Sequence, residues 1–284
     1  MKKFTVTHWE KAKKNGQKIA VLTAYDYTTA KLLNDAEVEA ILVGDSLGMV
    51  MLGYENTLQV TMADMLHHVK AVTRGAKLPF VIADMPFMSY HTDVMTAVVN
   101  AGRFIQEAGA DAVKLEGGIE MVEKVKAIVQ AQIPVVGHLG LTPQSINLLG
   151  GFKVQGKNHE QGVKILKDAL ALEAAGVTAI VLECVPEALA TWISEQLSIP
   201  TIGIGSGGGC DGQVLVIQDM LGTYDGIAPR FVKHYAELGE ATKVAVKNYQ
   251  SEVRSGAFPE KKHSFEMDEA VFEGICKHFL EKEL

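Results

Sequence analysis

Cysteine is scarce in this chain: Cys184, Cys210 and Cys276 are the only three among 284 residues. Few, odd in number and far apart, they exclude a disulfide framework and a Cys-x-x-Cys zinc site, and they read as free thiols. Long hydrophobic runs are missing too. No segment approaches the roughly 18 apolar residues of a membrane span, and the basic start MKKFTVTHWEKAKKNGQK lacks the apolar stretch of a signal peptide. A cytoplasmic protein with no membrane partner is expected. Lys/Arg-rich blocks are also absent and the formal net charge is -7, which argues against nucleic acid or an anionic membrane as the main partner. Apolar material is plentiful: with 48% hydrophobic and 21% charged residues the chain can bury a large core. Its length suits either two ordinary domains or one closed α/β barrel.

One pattern recurs along the chain. Short Val- and Ile-rich runs, IAVLTA (19–24), EAILVG (39–44), PFVIA (79–83), DAVKLE (111–116), IPVVGH (133–138), TAIVLE (178–183), PTIGIG (200–205) and GQVLVIQD (212–219), alternate with helical patterns. Near-continuous apolar strands imply burial on both faces, and helix-length spacers imply parallel crossovers. Residues 61–75 read as a helix with Thr61 as cap, an apolar stripe of Met62, Met65, Leu66, Val69 and Val72, and Gly75 at the stop. Residues 159–176 read as another, with Val163, Ile165, Leu166, Ala169 and Leu172 as its stripe. Eight β/α units without a linker predict a single-domain α/β protein, a (β/α)8 TIM barrel over residues 1–265. Residues 1–18 form its lead-in helix and 228–254 its closing helices. A doubly wound sheet is the alternative.

Polar residues fall at the same place in successive strands: Asp45 and Ser46 after the second, Asp84 after the third, Lys114 and Glu116 on the fourth, His138 and Glu183 ending the fifth and sixth. In a parallel barrel those carboxyl ends converge on the face that carries the active site. Three carboxylates brought together there need a compensating cation, and an all-oxygen set suits Mg²⁺ better than zinc. Asp45, Asp84 and Glu116 are therefore the expected metal ligands. Lys114 and Ser46 can hydrogen-bond a substrate carboxylate, and Glu183 is the candidate general base. The set points to metal-assisted enolate chemistry on a small 2-oxo acid.

Each residue has a plainer explanation. Asp45 or Ser46 can cap a helix or form a turn, Asp84 can cap the Met-Pro turn that follows it, and Glu116 precedes a Gly-Gly pair. Lys114 can pair with Asp111, and an isolated His138 is more often a satisfied core histidine. His67 and His68 are not read as ligands. Cys184 beside Glu183 has no histidine partner in sequence to make it a nucleophile. Gly203, Gly205 and Gly208 match G-x-G-x-x-G, but another strand follows where a dinucleotide site needs a helix. The plain readings are good one by one and poor together, because they require seven coincidences at one end of consecutive strands.

TAYDY (23–27), LVGDSLGMV (42–50), ADMPFMSY (83–90), AVKLEGG (112–118), GHLGLTPQS (137–145), GGFKVQG (150–156), ALEAAG (171–176), VLECVP (181–186), IGIGSG (202–207) and CDGQVLV (210–216) resemble the ketopantoate hydroxymethyltransferase family, in order, from about residue 5 to the HSF at 263–265. The resemblance implies transfer of a hydroxymethyl group from 5,10-methylenetetrahydrofolate as co-substrate to 3-methyl-2-oxobutanoate, on the way to pantothenate and coenzyme A. It further implies a (β/α)8 barrel and a homodecamer of two stacked pentamers. Carried over residue by residue, it makes Asp45 and Asp84 Mg²⁺ ligands that also touch substrate, Glu116 the third metal-site carboxylate, Ser46 and Lys114 substrate binders, Glu183 the proton acceptor, and His138 a pocket residue. It assigns no folate contacts. Ser206 departs from the alanine usual in relatives, within a loop richer in glycine than theirs. The rival reading is a metal-dependent carbon-carbon lyase or mutase of the phosphoenolpyruvate mutase/isocitrate lyase type; lyases of that group carry a Lys-Lys-Cys-Gly-His loop that this sequence lacks. A non-catalytic barrel is the other alternative. Residues 266–284 lie beyond the resemblance. Val271, Phe272, Ile275, Phe279 and Leu280 share one helical stripe there, which predicts an amphipathic helix of four to five turns that docks on a surface, between subunits rather than at the active site.

Overall fold

The computed structural model describes residues 2–224, 226 and 229–281. Every one of the eight apolar runs is a strand: β1 Ile19–Thr23, β2 Ala40–Val43, β3 Phe80–Asp84, β4 Ala112–Glu116, β5 Val135–Gly140, β6 Ala179–Glu183, β7 Thr201–Ile204 and β8 Gly212–Leu215. All neighbours are parallel and β8 pairs with β1, so the sheet is a closed barrel in sequence order and not a doubly wound sheet. The crossovers carry the helices Tyr27–Asp35, Met62–Gly75, Val94–Gln106, Val122–Gln130, His159–Ala175 and Glu187–Gln196. Between β7 and β8 there is no helix; the glycine-rich residues 205–211 make the connection.

The two faces of each strand feed two cores, because successive side chains point to opposite sides of a sheet. Ile41 and Val43 of β2 join the layer between sheet and helices. Ala40 and Leu42 join the barrel interior with Ile19, Val21, Phe80, Ile82, Ala112, Val136, Ala179, Val181, Ile202 and Val214. The lead-in helix Val6–Lys14 adds Trp9 to that interior, its ring 5.5 Å from Phe80. Lys13 anchors the same helix through an ion pair of 2.8 Å with Asp211. Above the Trp9 layer a void of about 10 Å³, room for one water at most, separates the apolar plug from Lys114.

The helix Met62–Gly75 follows its expected pattern: Thr61 and Asp64 form a reciprocal capping box, and Met65, Leu66, Val69 and Val72 are buried. The helix His159–Ala175 corrects one position. Val163 is 36% exposed, while Ile165, Asp168, Ala169, Leu172 and Ala175 face inward. Val163 precedes Ile165 by two residues, about 200° around the helix from the buried stripe.

The chain forms two compact units, Met1–Ala236 and Glu237–Leu284. Within the expected closing segment 228–254 the helix is Leu238–Ser255, which belongs to the second unit and has no buried residue. Residue 228 itself lies outside the described residues. The tail helix exists as Glu269–Leu280, capped by Asp268, and is shorter than the four to five turns expected; residues 282–284 lie outside the described residues. Among the described residues no helix is long and apolar enough to cross a membrane.

Candidate active site

The alternation that fills the barrel also aims the polar residues. Asp84, two residues past Ile82, and Lys114 and Glu116, two and four past Ala112, keep the inward parity; so do His138 after Val136 and Glu183 after Val181. Strand register then sets neighbours: Asp84 lies beside Lys114 and Glu116 beside His138. The five side chains form a connected row. Lys114 Nζ is 2.9 Å from Asp84 Oδ1 and 3.2 Å from His138 Nδ1. His138 Nδ1 is 3.3 Å from Glu116 Oε1, and its Nε2 is 3.2 Å from Glu183 Oε2. Asp45 is off the strand parity and enters from the turn after β2, where its backbone N–H donates to Asp84 Oδ2 at 3.2 Å. Ser46 does not join the row: its hydroxyl bonds the Tyr25 phenol at 2.9 Å.

Burial makes this row electrostatically tense. The side chains of Asp84, Lys114, Glu116 and His138 are 2–4% exposed, and only Glu183, at 16%, reaches the mouth. Burial raises the Asp45 carboxyl well above its usual range, and Asp84 and Glu116 push it further. For Lys114, burial favours the neutral amine, but Asp84, Glu116 and Asp45 outweigh it and hold the ammonium. Burial and Lys114 both pull the His138 imidazole down; Glu116 and Glu183 reverse this and raise it to about 9. Asp84 Oδ1, Glu116 Oε1 and His138 Nε2 sit within ion-pair distance of a partner yet out of line for hydrogen bonds.

These donors fit a hard divalent cation in kind and in charge. Asp45, Asp84 and Glu116 are three buried carboxylates, with Glu183 a fourth at the mouth, against the Lys114 ammonium and the His138 imidazole, and two of the buried oxygens accept no hydrogen bond. As placed, however, no three His, Cys, Asp or Glu side chains among the described residues are gathered for ligation. Lys114 and Gln144 lie against the carboxylate oxygens, and a cation would displace those contacts.

Further residues of the site lay in motifs that strand periodicity does not reach. Gln144 and Tyr90, both buried, bridge Asp45 and Glu116, and Tyr25 holds Ser46. The plain alternative for Lys114 fails, since Asp111 pairs with Lys3 instead, while His68, not read as a ligand, bonds the Tyr25 carbonyl. Several backbone devices hold Glu183 in place. Gly140 has φ 93°, and a β-carbon there would collide with the Glu183 carbonyl, which accepts from the Leu141 N–H at 2.8 Å. Ser206, the departure from the family pattern, donates to the Leu182 carbonyl and accepts from the Val185 N–H, so its hydroxyl ties the β7 loop to the end of β6. Cys184 has φ 49°; burial, reinforced by Glu183, raises its thiol to about 11, which leaves it protonated and poorly nucleophilic at neutral pH.

A closed parallel barrel with buried acids, a buried ammonium and a mouth carboxylate at its strand carboxyl ends belongs to the class of (β/α)8 enzymes. Within that class the chain belongs to the ketopantoate hydroxymethyltransferase family, whose sequence profile matches residues 3–261. It is 60% identical over 273 residues, 96% of this chain and 99% of the relative, to the 3-methyl-2-oxobutanoate hydroxymethyltransferase of Clostridium novyi (strain NT). It is 58% identical to the enzyme of the same name from Acetivibrio thermocellus, covering 97% of each. The chain is thus an enzyme, a hydroxymethyltransferase. Among solved structures, a phosphonopyruvate hydrolase complexed with oxalate and Mg²⁺ superposes with TM-score 0.60 over 98% of both chains at 14% identity. A 2,3-dimethylmalate lyase of the PEP mutase/isocitrate lyase superfamily superposes with TM-score 0.57 at 16% identity, covering 98% of this chain and 96% of the other. At such identities the likeness is one of fold.

Proposed function

We propose that this enzyme transfers a hydroxymethyl group from 5,10-methylenetetrahydrofolate to C3 of 3-methyl-2-oxobutanoate, giving 2-dehydropantoate (ketopantoate) for pantothenate and coenzyme A synthesis. Family membership and the relatives' names support the overall reaction. The observation that carries the chemistry is the position of Glu183: alone in the row it is partly exposed, at the outer end of a path of charged groups that begins at Asp84.

Asp45, Asp84 and Glu116 would hold Mg²⁺, which supplies Lewis-acid polarisation of the 2-oxo acid. Lys114 and Ser46 bind the substrate carboxylate and set its orientation. Glu183 accepts the C3 proton. His138, between Glu116 and Glu183, holds the base in place and shares the charge that the proton brings. The enolate carbon then forms a bond to the folate's methylene carbon as the first of that carbon's two bonds to nitrogen breaks, the freed nitrogen taking the proton held by Glu183. One water then supplies the hydroxyl oxygen as the second carbon–nitrogen bond breaks, and its remaining proton goes to the other nitrogen, releasing the hydroxymethylated acid and tetrahydrofolate. The homodecamer of two stacked pentamers is part of the same proposal, and light scattering that gave a stable monomer would remove it without touching the chemistry.

The direct test is proton exchange. With Mg²⁺ and 3-methyl-2-oxobutanoate in D₂O, the C3 proton signal in NMR should disappear without folate present. A folded, metal-loaded sample that shows no exchange overturns the proposal. Exchange followed by carbon-carbon cleavage, with no hydroxymethyl product when the folate is added, points to the lyase reading instead.

A further inference from the structure

Gln144 is the uncharged side chain at the centre of the carboxylate cluster. It lies in the helical turn Pro143–Ser145 that follows β5 and is buried. Its Nε2 donates to Asp45 Oδ2 at 2.8 Å and to the Met85 carbonyl at 2.9 Å, and its backbone N–H donates to Glu116 Oε2 at 3.0 Å. Tyr90 completes the circuit: its hydroxyl donates to Gln144 Oε1 at 2.7 Å and accepts from the Glu116 N–H at 3.1 Å.

The polarity of this circuit fixes the amide. The Glu116 N–H can only donate, so the Tyr90 oxygen accepts and its proton goes to Gln144. A flipped amide would set Oε1 against the Asp45 carboxyl oxygen and the Met85 carbonyl, and leave the Tyr90 proton facing an amide NH₂ that cannot accept it. Each amide atom therefore has one consistent role, and the two carboxylates it serves lie 71 residues apart in sequence, at 45 and 116.

We propose that Gln144 is a positioning residue that holds Asp45 and Glu116 in place for a divalent cation without neutralising them; the inference rests on the metal-dependent reading above. Lys114 stabilises Asp84 by cancelling its charge. Gln144 holds Asp45 and Glu116 with dipoles and adds no counter-charge, its bond to Asp45 working against the burial that favours a neutral carboxyl there, and a neutral donor is exchanged for a cation at lower electrostatic cost than an ammonium. Asp45 needs such a tether most, since it stands in a turn and off the strand parity that orients the other acids. Tyr90 acts one bond further out, by orienting the amide.

The test is Mn²⁺ titration followed by electron paramagnetic resonance, on wild type, Gln144→Met and Tyr90→Phe, with thermal melting of each. Loss of an outer partner of a metal ligand typically costs about 10- to 100-fold in metal affinity. Gln144→Met should fall in that range and Tyr90→Phe near its lower end. In the exchange assay the metal concentration for half-maximal rate should rise by a larger factor than the rate at saturating metal falls, a split that general loosening of the fold does not produce. Wild-type-like Mn²⁺ affinity in both variants, within about twofold, overturns the inference; should Gln144→Met fail to fold, the same outcome in Tyr90→Phe alone overturns it. If wild type itself binds no Mn²⁺, the metal reading falls and takes this inference with it, whereas tight wild-type binding with unchanged variants removes only the role of Gln144.

Discussion

The two ends of the barrel are built from the same strands and share almost nothing else. At the amino end β4 offers Ala112, β5 Val136 and β6 Ala179, and Trp9 seals them against Phe80. Two to four residues further along, the same inward positions hold Lys114, Glu116, His138 and Glu183. One end is packed for stability, and the other gathers buried charge at a cost to stability that the packed end offsets. The comparison teaches that a strand of five residues serves both ends at once, because its inward side chains recur every second position.

Breaking one end should leave the other legible. The largest effect is expected from Asp84→Ala at the charged end, which removes a proposed ligand and the partner of Lys114. Activity should fall by several orders of magnitude while circular dichroism stays native, and unchanged activity would refute the ligand assignment. Glu183→Gln should stop C3 exchange yet leave Mg²⁺ and substrate binding measurable by calorimetry, because shape is kept and only the base is lost. At the packed end Trp9→Ala should lower stability by about 3–5 kcal/mol in denaturant melts, with exchange per folded molecule close to wild type. A collapse of exchange in folded Trp9→Ala would show that the two ends are coupled.

A finer contrast concerns thiols. Cys184, raised to about 11 beside Glu183, should resist iodoacetamide at pH 8 and gain reactivity only as pH climbs toward 11, where the thiolate forms. Cys276, exposed in the tail helix, should label first, as peptide mapping would reveal. Prompt alkylation of Cys184 at pH 8 would contradict the buried, acidic surroundings assigned to it. The smallest effect is expected from deleting residues 266–284. Exchange and transfer should stay nearly intact while the melting temperature or the assembly size drops, because Val271, Phe272 and Ile275 form an apolar stripe that is more than half exposed and needs a surface. Lost catalysis at unchanged stability would assign the tail to the active site.

Much of this was readable before any coordinates. The eight apolar runs became eight strands, and inward parity carries Asp84, Lys114, Glu116, His138 and Glu183 to one mouth. Ser46 sits next to a site residue in sequence, yet its hydroxyl serves Tyr25. Gln144 and Tyr90 were present in recognisable motifs, but their positions lie outside any strand, where spacing carries no direction. The expected closing segment 228–254 carries the helix Leu238–Ser255 within the second compact unit, and the sequence pattern that suggests a helix does not say to which unit it belongs.

The sequence by itself determined the eight strands with their intervening helices, the polar ends of those strands and the helical tail, since each follows from periodicities of 2.0 and 3.6 residues that local geometry enforces, whereas closure came from the pairing of β8 with β1. Only the tertiary structure decided which oxygen faces which donor. The Asp84–Lys114 pair, the His138 bridge and the Gln144 circuit join atoms 22 to 99 residues apart, through register and turns that no single segment encodes. Their energies therefore depend on burial and mutual charge, which arise only once the barrel has closed.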